Sequence, residues 1–214
     1  MFLLLEPVSD RWNVLRHPFY VRWSRGELTL EELSFYAGEY RHAVVALAEA
    51  TARAARSAPE AALRAELARH AEEERTHVRL WDDFALGVGA DDAEREPLPE
   101  TVDCVEAWTA GGDVEESLTI LYAVESAQPA ISVTKLAGLV EHHGFAAGDP
   151  ATAYFELHAE RDHEHAAHSR AVLEERAAPG DSERLVAAAE RALRGSWRLL
   201  DGVERRFGQR PSDG

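Results

Sequence analysis

At 214 residues the chain is long enough to bury a sizeable core as one domain without disulfides, and its single cysteine, Cys104, has no internal partner, which points to a reducing cytoplasm. A formal charge of -16 argues against nucleic acid and anionic membrane as partners, because phosphate would be repelled rather than neutralised. No stretch approaches the ~20 apolar residues of a membrane span, and the apolar start, Met1 to Glu6, is too short for a secretory core.

The residues read as helices almost throughout, rich in Ala, Leu, Glu and Arg, with Gly and Pro kept mostly to junctions. A short helix is expected over Ser9 to Arg16 and a second piece from Pro18 to Ser24. Thr29 caps a long helix in the capping-box arrangement Thr29-Leu30-Glu31-Glu32, reaching about Ala55. The next starts at Pro59, runs to about Leu86 and stops at Gly87 and Gly89. An acidic, Pro-containing connection covers about 87–99, and a shorter helix follows from Glu100 to Ala110. Asp113, with Glu116 three positions on, caps a helix extending to about His143; Pro129 lies inside it and should kink it. Pro150 opens the penultimate helix, Asp181 or Ser182 caps the last, which reaches about Phe207, and the tail over about 208–214 is expected to fray. Residues 1–214 thus read as one all-α domain, a bundle of seven to eight helices with no strand-like alternation and no internal repeat.

The strongest local signal is His158-Ala-Glu-Arg-Asp162-His-Glu-His165. At 100° per residue His158, Asp162 and His165 fall within about 60° of one another, so they form one imidazole and carboxylate face. On a second helix Glu73 and His77 sit one turn apart, and the following Leu80, Trp81 and Phe84 turn that face inward. Glu125 belongs to the stripe of Leu118, Leu121 and Tyr122, where an unpaired carboxylate would be costly to bury. These six, three His and three carboxylates, suit two first-row metal ions, iron or manganese or a mixed pair, with open positions for dioxygen. Thiolates are absent from the set, which disfavours a structural zinc site. A second set is also consistent with the spacing. A ferritin-like bundle needs a Glu on each of two helices and Glu-x-x-His on each of two others, and Glu39, Glu74 with His77, Glu125, and Glu160 with His163 supply it in order.

Several stretches resemble the heme-oxygenase-like diiron oxidases over most of the chain, within them the branch named for the chlamydial protein associating with death domains, whose members are self-sacrificing para-aminobenzoate synthases. They are His17-Pro-Phe-Tyr-Val-Arg-Trp-Ser-Arg-Gly-Glu-Leu-Thr, His77-Val-Arg-Leu-Trp, Leu121-Tyr-Ala-Val-Glu-Ser with Pro129 after it, and Tyr154-Phe-Glu-Leu-His158 with Asp162 and His165. The resemblance implies a heme-oxygenase-like bundle and the ligands Glu73, His77, Glu125, His158, Asp162 and His165. Its members carry their first Glu seven residues before the His, with a short insertion between. This chain has an uninterrupted helix there, so Glu74 or His70 is an alternative to Glu73.

The resemblance also gives a reason for an oddity of composition. Of 23 basic residues 22 are arginine and one, Lys135, is lysine. In the para-aminobenzoate synthases a tyrosine of the protein becomes the aromatic product and an internal lysine donates nitrogen; the equivalents are Tyr20 and Lys135. A desolvated ammonium can lose its proton, whereas a guanidinium effectively never does. Tyr36 and Tyr154 are candidates for pocket or radical-relay positions. The expected activity is a dioxygen-dependent diiron or iron-manganese oxidase with an external reductant, making para-aminobenzoate for folate from Tyr20 and Lys135. Alternatives are the same centre acting on an external amino acid or fatty acid, a metal-free enzyme like the thiamin hydrolases or the oxidase that completes pyrroloquinoline quinone, and an interaction protein. The thiamin hydrolases use a cysteine on the helix equivalent to that of Glu125, which this chain lacks. Exposed apolar helix faces suggest a homodimer.

Overall fold

The computed structural model describes residues 1–90 and 96–208. It contains α1 (Phe2–Arg11), α2 (Pro18–Ser24), α3 (Leu30–Ser57), α4 (Ala61–Gly87), α5 (Pro99–Thr109), α6 (Val114–Glu125), α7 (Gln128–His142), α8 (Ala153–Arg176) and α9 (Ser182–Phe207), with no strand among the described residues. No helix among them is long and apolar enough to cross a membrane. The connection expected over 87–99 and the tail expected to fray lie partly outside the described residues.

Helix α3 forms the centre. Leu33, Tyr36, Ala37, Tyr40, Val44 and Leu47 are buried, each three or four residues from another of the set, the spacing that lays one apolar stripe along a helix. It packs on α4, α5, α6 and α9. Its start is the expected capping box: Thr29 accepts from Glu32 N at 3.2 Å, and Glu32 accepts from Thr29 N at 2.8 Å. Helix α9 carries small residues where α5 crosses it. A Cβ on Gly195 would stand 3.1 Å from the Cys104 backbone, so Cys104 is a sealed packing residue whose thiol burial pushes well up, and not a nucleophile.

Helix α4 begins at Ala61 and α8 at Ala153, two and three residues after the prolines expected to open them, and two larger differences from expectation have identifiable reasons. The first helix covers Phe2–Arg11 rather than Ser9 to Arg16, and Pro7 sits within it. The hydrogen bond that Pro7 forgoes would have gone to the carbonyl of Leu3, an 81 % exposed residue, and Leu5 with Val8 docks on Ala189 and Leu193 of α9; packing overrides the local cost. The single kinked helix expected from Asp113 to His143 is two helices, α6 and α7, separated at Ser126 and Ala127. A proline ring clashes with the carbonyl four residues before it, and for Pro129 that residue is Glu125, where α6 ends.

Short α2 is pinned at both ends. His17 caps it, accepting from Phe19 N at 3.1 Å, while its Nε2 pairs with Asp201 at 3.2 Å. At the other end Trp23 Nε1 donates to Lys135 O of α7 at 3.0 Å. The approach needs glycine at 138, since a Cβ there would lie 2.4 Å from the Trp23 ring.

Candidate metal centre

Helices α4 and α8 run antiparallel along a seam in which histidines and carboxylates replace the apolar residues usual between packed helices. The rings of His77 and His158 lie 4.5 Å apart and those of His70 and His165 lie 3.9 Å apart. Leu67, Trp81 and Phe84 anchor α4, and Tyr154 and Phe155 anchor α8, all at 2 % exposure or less. Glu125 meets the seam from the C-terminal end of α6.

The potential ligand atoms fall into two groups, His70 with Glu125 and His165, and Glu74 with His77 and His158; within each, one ligand atom per residue lies within 4.8 Å of the others. Glu74 links the groups: its Oε1 is 3.1 Å from His77 Nδ1 and 3.6 Å from His70 Nε2. His70 Nε2 is in turn 3.2 Å from Glu125 Oε1. Seven buried atoms here nevertheless have no aligned hydrogen bond: His70 Nε2, Glu74 Oε2, His77 Nδ1, both Glu125 oxygens, His158 Nε2 and His165 Nδ1. Orphaned buried donors and acceptors are rare and costly, and cations at the two groups would satisfy them together. The tautomer of His158 suits this, because its Nδ1 donates to Tyr154 O at 2.7 Å and so leaves the Nε2 lone pair free.

Burial and mutual proximity set the protonation of these groups. Burial and the neighbouring Glu74 and Glu125 carboxylates hold Asp162 protonated, its pKa pushed up to about 9. Burial and the adjacent His77 bring His158 down to about 4. Burial would lower His70 too, but Glu125 and Glu74 outweigh it and raise His70 to about 10. Glu74, despite complete burial, is held far below the usual carboxylate range by His70 and His77.

Of the six residues expected as ligands, His77, Glu125, His158 and His165 lie in the two groups, and Asp162 is 2 % exposed within the field of Glu74 and Glu125. Glu73 does not. Its side chain is 36 % exposed and it accepts from His165 Nε2 at 3.1 Å from outside the seam, while Glu74 and His70, the alternatives, are the inward pair. Adjacent helical residues point 100° apart, so with Glu74 turned to the centre of the seam Glu73 reaches the partner helix only at the seam's outer edge. In the ferritin-like set Glu39 is buried but engaged by Leu98 N and Thr101 Oγ1, and Glu160 and His163 are exposed.

Tyr20 and Lys135 meet in an aromatic chamber. Lys135 Nζ is fully buried without a hydrogen-bond partner, 4.6 Å from the ring centre of Tyr40 and 5.3 Å from those of Tyr20 and Tyr36. Burial drives its pKa well below the usual lysine value; the ring faces favour the cation and offset this only in part. The Tyr20 hydroxyl lies 2.8 Å from that of Tyr36, and burial raises both phenols well above their ordinary range. Edge-to-face and tilted contacts then run from Tyr36 to Tyr40 (5.4 Å), to Trp81 (4.9 Å), to Tyr154 (4.9 Å), whose ring stacks on His158 at 3.9 Å. Sequence reasoning missed Tyr40, Trp81 and Gln128 as chamber residues; the only signal for Tyr40 is its place one turn after Tyr36. Gln128 donates to the Tyr40 hydroxyl at 3.0 Å and keeps a buried, unpaired Oε1. Together with Tyr20, Tyr40 and Trp108 it lines a mainly apolar cavity of about 210 Å³.

Residues 34–197 match the family described as iron-containing redox enzyme. The chain is similar to the 4-aminobenzoate synthase of Nitrosomonas europaea, 30 % identical over 95 % of this chain and 90 % of that one, and to that of Chlamydia muridarum, 29 % identical over 92 % and 87 %. A heme-oxygenase-like domain from Shewanella denitrificans superposes with a TM-score of 0.80 at 21 % identity, covering 98 % of this chain and 95 % of that one. With the family match spanning most of the chain and the fold shared end to end, this protein belongs to the iron-containing redox enzymes of the heme-oxygenase-like fold.

Proposed function

We propose that the chain is a dioxygen-dependent dinuclear iron oxidase that makes 4-aminobenzoate from itself, Tyr20 supplying the ring and Lys135 the nitrogen. The observation that carries this reading is the Lys135 amine: fully buried, unpaired and 5.3 Å from the Tyr20 ring centre. An ammonium without a carboxylate in such surroundings gives up its proton, leaving a neutral amine with a lone pair beside an aromatic ring. The 4-aminobenzoate synthases to which the chain is similar support the product, and the orphaned atoms of His70, Glu74, His77, Glu125, His158 and His165, with Asp162 beside them, support two ions. Iron held there would supply one-electron oxidation and the activation of dioxygen. The protein residues do the rest: Tyr36 orients the Tyr20 hydroxyl, the rings around Lys135 exclude water, and the cavity bounded by Tyr20 and Tyr40 gives the aromatic fragment room to leave.

The test is the intact mass of iron(II)-loaded protein before and after exposure to air, with the released small molecule identified. Loss of mass at Tyr20 and Lys135 with about one 4-aminobenzoate per chain is expected. Product formed by chains of unchanged mass, with more than one turnover each, would instead establish an external substrate, for which that cavity of about 210 Å³ supplies space.

A further inference from the structure

The series of His and carboxylate pairs between α4 and α8 does not stop at the metal centre. Outward from His70 and His165 come His165 Nε2 with Glu73 Oε2 at 3.1 Å, and then His168 Nδ1 with Glu66 Oε1 at 3.2 Å. Glu66 and His168 belong to neither ligand set. They line, with Glu73, a cavity of about 230 Å³ whose inner wall is formed by His70 and His165. His70, 8 % exposed, closes the cavity on its inner side with its Nε2 turned to Glu125 and Glu74, and His165 Nδ1 and His168 Nε2 are buried without a hydrogen bond. Among the candidate ligands the side chain of His165 is the most exposed, at 15 %, and it is the one that opens into this cavity. Glu74, His77, Glu125, His158 and Asp162 are all at 4 % or less.

We propose that this outer part of the seam is the entry path for divalent metal ions, with Glu66 and His168 as the loading site and Glu73 with His165 as the step between it and the centre. Imidazole with carboxylate is the ligand chemistry that iron(II), manganese(II) and cobalt(II) share. A two-residue site holds such an ion weakly enough to release it inward, whereas the six-residue interior would retain it. The rim also carries Glu164, Arg69 and Arg161. Arg69 stands 3.8 Å from Glu66 and 4.0 Å from Glu73, too far for hydrogen bonds, so it lowers the negative field over the mouth without filling either carboxylate. It acts as a brake on cation entry.

The inference rests on the dimetal part of the proposed function and not on its product. Metal-free full-length protein is mixed with cobalt(II) at low salt, and the visible absorption of bound cobalt is followed in time, with final cobalt content measured separately. The Glu66→Gln/His168→Ala double variant should load about 10-fold more slowly and reach the parent's final content, and Arg69→Gln should load several-fold faster. Loading rates within about twofold of the parent in both variants would overturn the entry path, as would a final content that falls along with the rate, which would make these residues part of the centre. No cobalt bound by the parent would sink the dimetal reading itself, so the two failures are distinguishable.

Discussion

Lys135 is the residue at which burial and chemistry conflict most. A buried amine without a hydrogen-bond partner costs about 1–3 kcal/mol, and its folded-state pKa is lowered from the ~10.4 of the unfolded chain. Between those two values the unfolded chain binds more protons than the folded one, so this group makes stability rise with pH. Lys135→Met should therefore raise stability by about 1–3 kcal/mol near neutral pH and abolish product, and its advantage should shrink as pH approaches ~10. Urea melts at several pH values measure this; a variant less stable than the parent at neutral pH would show that the cage holds the cation. The glutamate pair makes a second residue-scale contrast. Glu74→Gln should lower bound iron from about two to below one per chain, because it removes the carboxylate between the two groups, while Glu73→Gln should leave iron content unchanged. Elemental analysis decides, and equal loss in both would return Glu73 to the ligands. Spacing could name both glutamates but not rank them, since the rotation of α4 about its axis is set by tertiary packing of Leu67, Trp81 and Phe84. Composition marked Lys135 only as the single lysine; a role for it came from the resemblance.

Among the elements, the long helices were legible because their apolar stripes and caps are local: Thr29 and Glu32 specify the start of α3, and Asp113 with Glu116 the start of α6. The start of α1 was not, because docking on α9 overrides Pro7 there. The break between α6 and α7 was half legible. Pro129 announces a disturbance, and its position four residues after Glu125 explains why α6 stops there and turns that carboxylate toward the seam. Legible only in three dimensions is the tie between α2 and α7, where Trp23 lies against Gly138 and holds Tyr20 over Lys135. Adding one methyl group should break it. Gly138→Ala should cost about 1–3 kcal/mol by overpacking and reduce 4-aminobenzoate yield several-fold with iron content unchanged, because the metal groups lie on α4, α6 and α8. Iron lost in parallel with product would mean that the contact supports the whole bundle rather than α2.

For the whole molecule the acidic charge of -16 disfavours anionic partners and favours cations, and the centre concentrates that tendency in one buried place. Without metal, the folded chain keeps a proton on Asp162 up to about pH 9 and on His70 up to about pH 10, above their unfolded values of ~3.9 and ~6.5. Both groups hold more protons folded than unfolded over that interval, so their contribution to stability is lost as pH rises. A metal ion requires both to be deprotonated, and binding at neutral pH should expel about two protons per chain. The stabilisation that iron(II) confers should then grow with pH from 6 to 8.5. At a free concentration about 100 times the dissociation constant it would be worth ~2.7 kcal/mol. Anaerobic thermal melts with and without iron(II) across that range test this, together with calorimetry in two buffers of different protonation enthalpy to count the protons. An iron-induced shift in Tm that is flat or falling with pH would mean that Asp162 and His70 are not both deprotonated on binding, and it would leave His77, His158, His165, Glu74 and Glu125 as the set that holds the ions.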